Sequence, residues 1–136
     1  MVDSDGRSMG PTYAGSDLTP LYVEPEAIRA EAPLHSAWIR NCDRLLGSTA
    51  TAFPADDYIG NVIVWDKSAL SNLTRTIEKA NKASWMVALC RVRRFSEYLL
   101  YGHFVDRSQV HSITHARIMK VERSLTGTTL RWTAQL

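Results

Sequence analysis

The sequence predicts an α/β domain, a mixed sheet flanked by helices, and three observations carry that expectation. Tyr58 to Trp65 holds Ile59, Val62, Ile63, Val64 and Trp65 in a near-continuous β-branched and aromatic run, the pattern of a strand covered on both faces. Leu70, Leu73, Ile77 and Ala80 then recur at helical spacing. The 136 residues, 45% apolar and 22% charged, have ordinary globular composition. A chain of that length forms one domain and buries roughly two-thirds of its unfolded surface.

Taken in order, Gly6 to Pro33 holds four of the five prolines and three glycines, so it reads as a long irregular connection. Within it, Pro25 to Glu31 fits a short helix with proline at its first position and acids in its first turn. Leu34 to Leu46 fits a helix with Leu34, Trp38, Cys42 and Leu45 on one face, stopped by Gly47. The strand from Tyr58 follows, where Gly60 permits close backbone approach. Asp66 or Ser68 then caps a helix that runs through Asn81. Ser84 caps another to about Arg91, and Ser96 a third that carries Tyr98, Leu99, Leu100 and Tyr101 toward Gly102. After Asp106 the pattern weakens, with Thr128 to Trp132 fitting a strand. The chain has no internal repeat or low-complexity tract.

The net charge of +2 is too small to demand a nucleic-acid partner. Its distribution is uneven. Arg91, Arg93, Arg94, Arg107, Arg117, Lys120, Arg123 and Arg131 lie in the C-terminal half, while Asp3, Asp5, Asp17, Glu24, Glu26 and Glu31 come early. The basic half reads as a solvated face or as a phosphate-facing surface, since Arg forks match phosphate geometry. Cys42 and Cys90 lack CxxC spacing and follow no signal-like leader, which suits a reducing cytoplasm. Cys90 falls in the apolar stretch Trp85 to Cys90 and is expected to be a buried, inert thiol. No apolar run approaches the roughly 20 residues of a membrane span.

Chemistry is suggested first by Met1-Val2-Asp3-Ser4-Asp5. Two carboxylates one residue apart can share a hard cation such as Mg²⁺ or Mn²⁺, which binds through one or two carboxylates plus substrate phosphates. The same DxD spacing also arises in any Asp-rich solvated turn.

An ordered set of segments extends this reading: Asp57-Tyr58-Ile59-Gly60-Asn61, the hydrophobic run to Trp65-Asp66, and Phe95-Ser96-Glu97-Tyr98 followed by Tyr101-Gly102. With the DSD turn ahead of them, these segments resemble a functionally unassigned group of bacterial glycosyltransferase-like proteins of the GT-A fold. The resemblance covers roughly Val2 to Asp106 and leaves 107–136 as a divergent tail. It implies a partial GT-A-like domain. GT-A enzymes place DxD after a nucleotide-binding βαβ region, so the resemblance also implies the C-terminal portion of such a domain, without the upstream nucleotide-binding half.

What the resemblance implies for function is metal-dependent transfer of a sugar from a nucleoside diphosphate sugar to a glycan or other small acceptor. Asp3 and Asp5 take the divalent cation, Mn²⁺ or Mg²⁺, and Glu97 acts as general base or acceptor ligand. Ser96 and Tyr98 beside it, and Asp57, Gly60 and Asn61 at the strand entry, contact substrate, with Asp56 a further bond to sugar hydroxyls. Each has a structural alternative. Glu97 would complement the dipole of its helix, the Asp-Gly-Asn residues would serve a turn, and Trp65 and Trp85 would pack in the core rather than stack on a sugar. His111 and His115 are candidates for an additional metal ligand or ordinary exposed histidines. The rival reading of the whole chain is a non-catalytic remnant or binding module of the same fold.

Overall fold

The computed structural model describes residues 18–59, 63–108, 115–121 and 131–135. It is a mixed α/β arrangement in the order β1 (Thr19–Ile28), α1 (Pro33–Leu46), β2 (Ala55–Asp57), α2 (Lys67–Asn81), α3 (Trp85–Arg91), α4 (Glu97–Arg107), β3 (His115–Val121) and β4 (Arg131–Gln135). The sheet order is β2-β1-β3-β4. β1 runs parallel to β3, and the β1–β2 and β3–β4 pairs are antiparallel. The sheet is therefore mixed and flanked by helices, as expected.

β4 overlaps the strand expected at Thr128 to Trp132, but β1 and β2 are not where the apolar pattern placed a strand. β1 occupies part of the proline-rich stretch expected to be irregular, and the helix expected at Pro25 to Glu31 is instead the end of β1, through Ile28, and the turn that follows it. Thr19 to Val23 pair with β3, while Glu24 and Ile28 pair with β2 across a register shift. Each half of β1 thus has a described partner on one side only, and Pro20 and Pro25 need not interrupt a two-sided ladder. Leu21, Val23 and Ile28 turn into the core. Glu26, at φ 52°, marks the irregular stretch, and its N–H is held by Asp56 Oδ1 at 3.0 Å.

Conversely, the Tyr58–Trp65 run forms no strand among its described residues. β2 ends at Asp57, and 58–59 and 63–65 are irregular. Their apolar side chains are used singly: Tyr58 and Val64 are buried, and Ile63 packs against the core.

The helices follow their signals closely. α1 begins with proline and ends at Gly47 in the left-handed region at φ 62°. A Cβ on Gly47 would also lie 2.8 Å from the Ala80 Cβ, so the residue serves both the cap and the close approach of α2. Asp66, Ser84 and Ser96 cap α2, α3 and α4 as expected, each side chain accepting the N–H three residues on. α4 does not stop near Gly102 but continues to Arg107. A glycine inside a helix costs about 1 kcal/mol relative to alanine but does not end it when packing supports the next turn.

One core joins sheet and helices, with Val23, Ile39, Cys42, Leu45, Leu99 and Tyr101 fully buried. Cys90 is exposed, contrary to the expectation of a buried thiol. Trp65 and Trp85 are each 37% exposed rather than sequestered. In α3, Ala88 is the residue turned inward. A seven-residue helix has one narrow buried stripe, which cannot hold a continuous apolar sextet.

Candidate functional site

The start of α4 is positioned by α1. Asn41 Nδ2 donates to the Arg94 carbonyl at 2.5 Å, and the Cys42 thiol donates to the Ser96 carbonyl at 3.8 Å. Burial pushes the Cys42 thiol up to about 12, so it remains protonated and able to donate. Ser96 is buried, and its Oγ accepts the Leu99 N–H. These contacts fix the backbone from which Glu97 and Tyr98 project. Glu97 is exposed in the first turn and makes no hydrogen bond or ion pair with the described residues. Tyr98 is half-buried and lines a narrow slot with Tyr22, Ile63, Val64 and Tyr101.

One turn further on, the residues that carried the family resemblance pack on one another. The Tyr101 and Trp65 rings lie 4.8 Å apart. The Tyr101 hydroxyl accepts the Asp66 N–H at 2.9 Å and meets His115 Nε2 at 2.8 Å. Burial raises this phenol to about 12, which keeps it neutral at physiological pH. Gly102 lies against the Tyr58 ring, where a Cβ would come within 2.1 Å of Tyr58 Cγ. The Tyr58 hydroxyl donates to Asp106 Oδ2 at 2.5 Å, and Arg117 bridges Asp106 and Asp56 at 2.9 and 3.0 Å.

His115 is not the ordinary exposed histidine that was one of its two expected readings. It is 3% exposed, not a surface histidine, and its Nε2 is committed to Tyr101. No group of three or more His, Cys, Asp or Glu side chains suited to a metal occurs among the described residues. Asp3 and Asp5, on which the metal expectation rests, lie outside the described residues, as do Gly60, Asn61 and His111. Asp57 is described, but its Oδ1 accepts the Ile59 N–H at 2.8 Å. Burial raises its carboxyl above the usual range, and His35 and Glu24 are its charged neighbours. Its carboxylate shapes the turn that leaves β2.

A second feature, which sequence reasoning missed, lies toward the other end of α4. Thr51, Ala55, Asp56, Tyr58, His103, Asp106 and Arg107 line a cleft of about 250 Å³. Arg107 donates to Asp43 Oδ1 at 2.8 Å and also binds Ser48 and Thr51. Asp43 further accepts the Thr51 N–H and hydroxyl, both at 2.8 Å, so the loop after α1 is pinned to the last turn of α4. The signal was present as the i, i+3, i+4 spacing of His103, Asp106 and Arg107. It was lost because the helix was expected to end near Gly102.

His103 in this cleft is 4% exposed, and its Nε2 has no hydrogen-bond partner among the described residues. Burial, then the Arg107 cation, lower its pKa below 6.5, with Asp43, Asp106 and Asp56 opposing. The folded state consequently binds the proton less well than the unfolded chain. Stability should fall as pH drops below 6.5 and level off once pH passes the lowered folded value. Thermal melts across that range test this. His103→Gln, which cannot titrate, should lose part of the pH dependence, and an unchanged slope would assign the effect to other groups.

The family model described as Family of unknown function (DUF6492) matches residues 21–135. No curated protein and no solved structure matches the chain.

Proposed function

We propose, for a chain that belongs to the DUF6492 family, that it works as the acceptor side of a GT-A-like glycosyltransferase, with Glu97 facing the acceptor hydroxyl. The observation that carries this reading is how the F-S-E-Y…Y-G segment divides its labour. Phe95 packs against the core, Ser96 caps α4, Tyr101 holds the Asp66 backbone, and Gly102 admits the Tyr58 ring. Each has a structural task. Glu97 alone is left exposed without a partner among the described residues, next in sequence to Tyr98 on a backbone that α1 holds at two points. A positioned and unengaged carboxylate is what an inverting transferase needs to accept the acceptor's proton. In a retaining enzyme it would bind or electrostatically stabilise the acceptor. Tyr98 and Tyr22 supply the amphipathic aromatic surface that suits a sugar face.

In this reading the donor is a nucleoside diphosphate sugar, and a divalent cation on Asp3 and Asp5 offsets the charge of the leaving diphosphate. The experiment is calorimetry with Mn²⁺, with and without uridine diphosphate. Mn²⁺ alone should bind weakly, because two carboxylates leave most of its coordination shell to water, and the nucleotide should tighten it only if the chain keeps a donor site. Unchanged Mn²⁺ binding on adding nucleotide would favour the rival, a non-catalytic binding module of the same fold.

A further inference from the structure

We infer that the exposed face of α3, with the cations that flank it, is a docking surface for an anionic lipid bilayer. Surface helices normally turn their large apolar residues inward, yet α3 turns Ala88 and Leu89 to the core and leaves larger ones outside. Met86 is 58% exposed, Val87 43% and Trp85 37%, and Cys90 is exposed one turn beyond Met86. At 100° per residue Met86, Cys90 and Val87 share the side opposite Ala88, the residue buried against the core. Met86 and Val87, with Cys90 one turn beyond Met86, are a patch rather than scattered exposure, and such patches mark interaction sites.

The charge around the patch indicates what meets it. Between Lys67 and Arg94 the chain carries seven basic residues and one acid, Glu78, although the whole chain is only +2. All seven cations are exposed. Lys79 and Lys82 precede the patch, Arg91, Arg93 and Arg94 follow it, and none of these five forms an ion pair among the described residues. Glu78 is engaged through the Trp85 N–H at 3.2 Å, and Glu97 is the next acid along the chain. An apolar tip between two clusters of unpaired cations is complementary to a surface that is negative outside and apolar beneath. Trp and aliphatic side chains enter the headgroup–acyl boundary while Lys and Arg remain among the anionic headgroups. No helix among the described residues is long and apolar enough to cross a membrane, so the attachment is peripheral.

The test is sedimentation of the whole chain with phosphatidylcholine vesicles, with and without phosphatidylserine, at low and high salt. Binding should require phosphatidylserine, weaken with salt, and shift tryptophan emission to the blue. Arg93→Gln with Arg94→Gln should weaken partitioning roughly 25-fold, fivefold for each cation removed. Met86→Ser with Val87→Ser should abolish binding and the blue shift. Circular dichroism should be unchanged in both variants, since every altered side chain is exposed. Equal sedimentation with both vesicle types, or wild-type partitioning by the arginine variant, overturns the inference. So does a concentration-dependent dimer that the Met86/Val87 variant abolishes, which would make the patch a protein contact.

Discussion

Gly102→Ala is expected to cost the fold about 3 kcal/mol, the upper end of what one added methyl costs in a packed interior. The methyl carbon would come within 2.1 Å of Tyr58 Cγ and 2.6 Å of Tyr58 Cβ. Because Cβ is fixed to the backbone, rotating the ring cannot clear the overlap, and the chain leaving β2 must move. That movement is resisted at the far end of the ring, where the Tyr58 hydroxyl is bonded to Asp106 and Asp106 to Arg117 of β3. The consequence reaches three elements. Denaturant unfolding would measure the loss, and pairing the change with Tyr58→Ala supplies the control. The double variant should lose much less than the two single costs added together, because removing the ring removes the overlap. Strict additivity would show that Gly102 matters for some other reason.

That contact also explains how much of the fold was legible in the sequence. Helices α1 to α4 were readable because caps and 3.6-residue spacing are local, and the Asp66, Ser84 and Ser96 caps bind N–H groups three residues away. The strands depend on partners far along the chain. β1 pairs with residues almost a hundred positions later, so Pro20 and Pro25 suggested a loop while the pairing of Thr19 with His115 made a strand. The run from Tyr58 to Trp65 looked like a strand because β-branched and aromatic residues also suit irregular stretches that lend single side chains to a core, as those described at 58–59 and 63–65 do. Its side chains meet α4 one at a time, Tyr58 at Gly102 and Trp65 at Tyr101.

The candidate site was legible in the same uneven way. Ser96, Glu97 and Tyr98 sit at the helix start where the spacing put them. The His103–Asp106–Arg107 cleft stayed hidden because its other wall, Thr51 to Asp56, belongs to a distant segment. The Tyr101–His115 contact was hidden for a similar reason, since it joins a helix to a strand that the sequence pattern did not announce.

Glu97→Gln is expected to lower sugar transfer by roughly 10²–10⁴-fold, the usual contribution of a positioned general base. The substitution keeps the size of the side chain and its capacity for hydrogen bonding, and removes the charge and the site that takes the proton. Nothing described holds Glu97 in place except its backbone, so the loss should come without unfolding. A first-turn carboxylate interacts with the helix dipole by about 0.3–1 kcal/mol, which bounds the expected change in stability. The two readouts therefore separate the roles. Transfer falling while the melting temperature is nearly constant is the outcome for a base, and the acidic limb of the pH–rate profile should flatten with it. A steep fall in melting temperature with transfer per folded molecule intact would make Glu97 a structural residue and end the proposal for it. The assay belongs in a preparation that shows measurable transfer, where a rate exists to be lost. There, Tyr98→Ala offers the complementary measurement: a weaker acceptor KM with turnover retained would place the ring against the sugar and leave the proton to Glu97.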